Sequence, residues 1–147
     1  MSVNSLAQPQ FVSSGNISPA RVVVRSATVA RTAAQGAAAT TTPIGLSVNA
    51  VKFSNNPFDG TAYSYTAVSG DVIPYVGEGS VGYATSGAAI ASGDLGTPLV
   101  CTTGGKVITA TPLDAGTLSY TIGYPLATAS DADELIPVLI SIGPIFL

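Results

Sequence analysis

The 147-residue sequence contains no histidine and no tryptophan, one cysteine and one methionine, and only 9% of its residues are charged, where about 25% is usual. Each shortage excludes something. Without histidine the commonest general base is missing, and with it Ser-His and Cys-His nucleophile pairs and imidazole metal sites. A lone cysteine, Cys101, cannot form an intrachain disulfide, which fits a reducing compartment. Set between Val100 and Thr102, it reads as a buried structural thiol and not as a nucleophile. Without tryptophan, the tyrosines are the remaining candidates for a sugar-stacking face, and tyrosines on strands are usually ordinary sheet residues. No apolar run reaches the ~18 residues of a membrane span. The greasiest stretch, residues 136–147, is broken by Pro137 and Pro144 and reads as a C-terminal strand. No basic segment leads into an apolar one, so the expectation is synthesis in the cytoplasm without secretion.

What is present points to assembly. Hydrophobic residues make up 46% of the chain, largely Ala and Val among many Ser, Thr and Gly, a composition suited to flat surface that a partner covers. The charges are unevenly placed. Residues 1–52 carry Arg21, Arg25, Arg31 and Lys52 and no acid, +4; residues 53–147 carry Lys106 against eight acids, −7; together these give the net −3. A basic segment on an acidic body suits contact with an acidic protein surface. Four dispersed cations without interleaved aromatics make a poor phosphate track, so no nucleic-acid partner is expected, nor a membrane.

The pattern along the chain is that of strands and turns. Residues 1–20 are polar with isolated Leu6, Phe11 and Val12, and read as an extended N-terminal arm; residues 21–147 read as a single β domain. Arg21-Val22-Val23-Val24-Arg25 is β-branched and follows Pro19, a first strand. From Ser26 to Thr42, 12 of 17 residues are Ala or Thr, without a stripe at helical spacing, so strand followed by loop is expected. Ile44 to Val48 and Thr61 to Val68 alternate at the strand period, with turn signals at Asn55-Asn56-Pro57 and Asp59-Gly60 between them. Pro74 suits Val72 to Val76 to an edge strand or a bulge better than to a central ladder. Leu99 to Thr109 spells a hairpin, because Gly104-Gly105 supply the positive φ its turn needs. Ser130 with Asp133 three residues on could cap at most one short helix near residues 130–135. Pro43-Ile44-Gly45-Leu46 and Thr121-Ile122-Gly123-Tyr124 share an Ile-Gly pair, two similar strand starts. The fold class is therefore all-β, a small β-barrel or β-sandwich-like body.

Chemical motifs give way on inspection. Gly77-Glu78-Gly79-Ser80-Val81-Gly82 matches GxGxxG by letter, but no helix follows to hold a pyrophosphate and Glu78 would repel one, so it reads as a glycine-rich turn or a bulge in a sheet. Asp131, Asp133 and Glu134 cluster, yet lack the remaining ligands of a calcium loop. Nothing singles out a carboxylate pair. The chain is expected to be non-catalytic, without metal or cofactor.

Five segments, taken in order, resemble a known family. Ser14-Gly15-Asn16-Ile17-Ser18-Pro19-Ala20-Arg21-Val22-Val23 is similar to the polar lead-in and first strand of the capsid cement, or decoration, proteins of tailed bacteriophages. Pro43 to Ser47 resembles the next strand, Gly87 to Leu95 the Gly-x-x-Ile-x-x-Gly-Asp element, Gly104 to Val107 the following hairpin, and Ile122 to Leu139 the closing run. Together they hold 46 of the 147 residues. Residues 52–70 and Pro125 depart from the pattern. The resemblance implies a virion protein on the outer capsid surface that clamps neighbouring major capsid protein subunits, as a homotrimer near local three-fold positions, with the arm reaching over its neighbours. Phe11, Asn16, Ile17, Pro19, Arg21 and Arg25 are then the candidate capsid contacts. The alternative from another class is a surface- or carbohydrate-binding β module of a phage head fibre or tail.

Overall fold

The computed structural model describes residues 9–53, 58, 63–110 and 117–146. The expected turns at Asn55-Asn56-Pro57 and Asp59-Gly60, the start of the strand expected from Thr61, and residues 1–8 of the expected arm lie outside that range. Among the described residues ten strands form two five-stranded sheets. The first holds β1 (Val12–Ser13), β2 (Val22–Arg25), β3 (Thr32–Gln35), β4 (Pro43–Ser47) and β5 (Tyr75–Val76), in the order β1-β3-β2-β4-β5. The second holds β6 (Val81–Thr85), β7 (Leu99–Cys101), β8 (Val107–Thr109), β9 (Leu118–Pro125) and β10 (Leu135–Phe146), in the order β6-β10-β9-β7-β8. Among the described residues helix is limited to two short 3₁₀ turns, Ser92–Asp94 and Thr103–Gly105.

The first sheet curls until its ends meet. The chain just before β5 bonds back to β1: Ser13 N–H donates to the Asp71 carbonyl at 2.8 Å and Ile73 N–H to the Phe11 carbonyl at 2.9 Å. Inside the curl lie Ile17, Val23, Ala33, Ala67, Ile73 and Tyr75, with Phe11 and Ile44 packed against them. Outside it, Val22, Val24 and Leu46 meet Ile90, Leu99, Ile122, Ile136, Val138 and Ile140 of the second half. This explains the unbroken valine run of β2. Successive side chains point to opposite faces, and here both faces are covered, so Val22, Val23 and Val24 are all buried. A strand covered on both sides has no polar face to show.

Two departures from the sequence reading follow from this packing. Residues 9–20 do not extend away from the body; they are built into it, with Ile17 completely buried and bonded both ways to the 66–67 segment (Ile17 N–H to the Ala67 carbonyl at 2.8 Å, Thr66 N–H to the Ile17 carbonyl at 2.7 Å). The described part of the expected 61–68 strand is a series of bends with a bridge at Ala67, because it serves as cover for the first core and not as a ladder.

The hairpin of β7 and β8 forms as expected, with Gly104 at φ 75° and Gly105 at φ 70°. GxGxxG is the turn between β5 and β6 and runs into strand. Near residues 130–135 the chain makes a turn in which Asp133 adopts φ 66°, a value no right-handed helix contains. Ser130 caps it through Glu134, whose carboxylate accepts the Ser130 N–H at 2.9 Å and also the Ser130 hydroxyl; the Ser130 hydrogen bonds hold that carboxyl below its usual range.

The turn is fastened to the sheet by Ser86, which is fully buried. Its hydroxyl donates to the Asp131 carbonyl at 2.9 Å and accepts the Glu134 N–H at 3.0 Å. Ser86→Ala strands both groups, and an unsatisfied buried polar group costs about 1–3 kcal/mol. Chemical denaturation of Ser86→Ala is expected to show a loss of that size with an unchanged m-value.

Candidate docking surface

The inner face of the second sheet is core; its outer face is apolar as well. β6, β10 and β9 lie side by side with Tyr83 opposite Pro137, Val81 opposite Leu139, and Leu139 opposite Tyr124. Leu126 N–H donates to the Pro137 carbonyl at 2.9 Å, which carries the same row one residue past β9. Strand alternation then places Val81, Tyr83, Tyr124, Leu126, Leu135, Pro137 and Leu139 on one face. The six other than Pro137 are each 40–54% exposed. β6, β9 and β10 contain no charged residue. Contiguous apolar surface of this kind marks an interaction site more often than a solvent face.

The prolines fit the same geometry. β6 bonds β10 through its even-numbered residues, as Ser86 N–H to the Glu134 carbonyl at 2.8 Å and Ile140 N–H to the Ser80 carbonyl at 2.9 Å show. Pro137, opposite Tyr83, therefore owes β6 no N–H and faces β9 where β9 ends, a position proline tolerates. Further along, an extra β10 residue between Ile140 and Gly143 breaks the register. The Thr121 hydroxyl bridges the carbonyls of Ser141 and Gly143 at 3.2 and 3.3 Å. Such a bulge bends the strand, so the outer face curves away beyond Leu139.

The residues expected to touch a capsid from sequence are scattered. Phe11 is half-buried, its ring edge-on to Tyr75 with centroids 6.0 Å apart, and Ile17 belongs to the inner core. Arg21 turns inward to donate to the Gly104 carbonyl at 2.9 Å, tying the β7–β8 hairpin to the first sheet. Asn16 is exposed, Pro19 is half-buried and Arg25 is exposed. The structure brings Phe11 and Arg25 together: with Pro9, Ile44, Tyr75, Glu78 and Ile142 they line a cleft of about 380 Å³. Of the expected basic segment, Lys52 is paired with Asp71 at 2.6 Å, and that hydrogen bond is the largest cause holding the Asp71 carboxyl low. Arg25 and Arg31 are the members left on the surface.

Other candidate groups are engaged in the fold. Lys106 pairs with Asp133 at 2.5 Å. Cys101 is buried, and burial pushes its thiol up to about 12, leaving no thiolate near neutral pH.

The seven-residue face escaped the sequence reading because three of its members sit inside Leu135-Ile136-Pro137-Val138-Leu139-Ile140, where core and surface positions are equally apolar. The signal was present in the pairing of such a strand with Val81-Gly82-Tyr83, whose odd positions are also large and apolar.

No protein-family model matches the chain, and no curated protein does. Among solved structures, the chain is similar to the head fibre gp8.5 N base of bacteriophage phi29, with a TM-score of 0.58 and 16% sequence identity over 90% of this chain and 91% of that one. At that identity the likeness is one of fold, and it spans both sheets.

Proposed function

We propose that the chain is a structural protein of a phage virion, held on the outside of the head, and that the apolar outer face of β6, β10 and β9 is buried in that attachment. The observation that carries the reading is that face: a charge-free, seven-residue apolar surface on a small β body is poorly suited to water and well suited to a protein partner. The fold likeness to a head fibre base supports a place on the head. The function is binding and not catalysis.

Two finer readings share this attachment. In the first, favoured by the fold likeness, the chain is the base module through which a fibre-like or surface-binding structure is fixed to the head. In the second, favoured by the ordered segments that resemble cement proteins, it clamps adjacent major capsid protein subunits as a homotrimer. Several weak contacts per assembly would then add up through effective concentration.

The test is binding to purified heads that lack the protein. The wild type is expected to co-sediment with heads, and Leu139→Asp, which places an unpaired charge on the central strand of the face between Val81 and Tyr124, is expected to bind at least about tenfold more weakly, a difference of about 1.4 kcal/mol, while keeping the wild-type circular dichroism. Failure of the wild type to bind heads overturns the proposal; equal binding by Leu139→Asp moves the contact to another surface. Heads that resist heating better once decorated favour the clamping reading, and unchanged head stability favours the base module.

A further inference from the structure

β6 is the outermost strand of its sheet, and its second edge is open. Its even-numbered residues bond β10, so the backbone groups of Val81, Tyr83 and Thr85 point the other way. Thr85 is covered, donating to the Ala20 carbonyl at 2.9 Å. Val81 and Tyr83 have no backbone partner among the described residues on that side. Natural edge strands are usually protected by lysine, proline or a bulge. Residues 79–93 contain neither charge nor proline, and β6 pairs with β10 in unbroken register from Val81 to Thr85.

We propose that β6 pairs antiparallel with β6 of a second copy of this chain, about a two-fold axis at Gly82. In that register Val81 of each copy faces Tyr83 of the other. Both residues present outward N–H and C=O groups, and in an antiparallel ladder two directly opposed residues of this kind exchange both hydrogen bonds, so the short pairing forms four. A β-branched side chain opposite an aromatic one is also a favourable cross-strand pair.

The occupant is a second copy because Val81-Gly82-Tyr83 is complementary to itself when reversed, and because the paired stretch carries no charge that would oppose its own copy. Each partner strand leaves the pairing at its Glu78–Gly79 turn, where Ala20 already covers Thr85 in the first copy. The second copy's Glu78 is thereby brought toward Arg21, an acid toward a base, with Asp133 already beside that arginine; within the paired stretch itself no like charges meet, because residues 79–93 carry none. The outer apolar faces of the two sheets become continuous and remain open, so the pairing is independent of attachment to a head.

The experiment is site-directed cross-linking in solution. Val81→Cys and Tyr83→Cys chains, mixed and mildly oxidised, are expected to form a disulfide-linked pair at least about five times as efficiently as either variant alone, since opposed residues lie within disulfide reach only in the mixed pair. The native Cys101, buried and protonated, does not compete. In sedimentation, Val81→Pro, which deletes an outward N–H without touching the β10 ladder, and Tyr83→Lys, which guards the edge with a charge, are each expected to halve the mass of the wild-type assembly, from two chains to one or from six to three. Equal cross-linking in mixed and single samples overturns the pairing, and so does a wild-type mass that neither folded variant changes.

Discussion

Gly123→Ala is expected to leave most of the chain unfolded or insoluble when expressed. Gly123 lies inside β9 with φ 157°, and a Cβ there would stand 2.0 Å from the Leu139 carbonyl oxygen, 2.9 Å from its carbon and 3.0 Å from Ile140 Cα. All three are backbone atoms of β10, which pairs β9 on that side, while β7 pairs it on the other. Neither neighbour can retreat without giving up its own ladder. A loss above about 4 kcal/mol is exceptional for one substitution, but it is the scale expected when a central strand is forced out of register, and a domain's whole stability is about 5–15 kcal/mol. Gly45→Ala creates the same conflict, 2.0 Å from the Val76 carbonyl oxygen at φ 158°. Its neighbour β5 is a two-residue edge strand, so the clash can be relieved by local fraying and the cost should be smaller. Gly82→Ala is the control: its Cβ meets the ends of the Leu46 and Ile140 side chains at 3.2 and 3.3 Å, atoms that can shift. The ranking Gly123 worst, Gly45 next, Gly82 least, read by soluble yield and thermal unfolding, checks the argument. Equal behaviour of the three would refute it.

That ranking also measures how much the sequence disclosed. The Ile-Gly echo at Ile44-Gly45 and Ile122-Gly123 was visible as two similar strand starts, and in the folded chain both glycines have the same conformation beside the same kind of backbone contact. The hairpin at Leu99 to Thr109 was legible because its turn residues state their own geometry. The β2 strand was legible because three valines between arginines have few other uses. What could not be read was long-range. Ile17 is one isoleucine in a polar stretch, and nothing local says that Ala67 and Val23 wait to enclose it. Arg21 and Lys52 count as surface cations in a sequence, but one is turned toward a hairpin 83 residues away and the other neutralised by Asp71. The apolar outer face was hidden for a related reason: composition cannot separate the core half of a strand from its exposed half when both are leucine and isoleucine.

Truncation of the N-terminus is the second large effect expected, and it tests the boundary directly. Deleting residues 1–19 removes Ile17 from the inner core and β1 from between β3 and the 71–73 segment. Burying one such side chain is worth about 1.5–3 kcal/mol, and the deletion also strands the carbonyls of Arg31, Ala33, Ala67 and Asp71, which accept N–H groups from Val12, Ser14, Ile17 and Ser13. Ser47 loses its acceptor as well, the Ser18 carbonyl at 2.7 Å. The sum approaches the whole stability of a small domain, so the 20–147 fragment is expected to lack a cooperative thermal transition. Deleting residues 1–8 leaves every one of these bonds in place, including the Tyr75 hydroxyl to the Pro9 carbonyl at 2.5 Å, and the 9–147 chain is expected to melt cooperatively. That shorter deletion is the one that can report on an arm in head binding: if it folds and still decorates heads as the full chain does, attachment rests on the sheet face, and if it folds and fails to decorate them, residues 1–8 are part of the grip. A 20–147 fragment that melts like the full chain would show that the inner core closes without Ile17, and would return residues 9–19 to the arm.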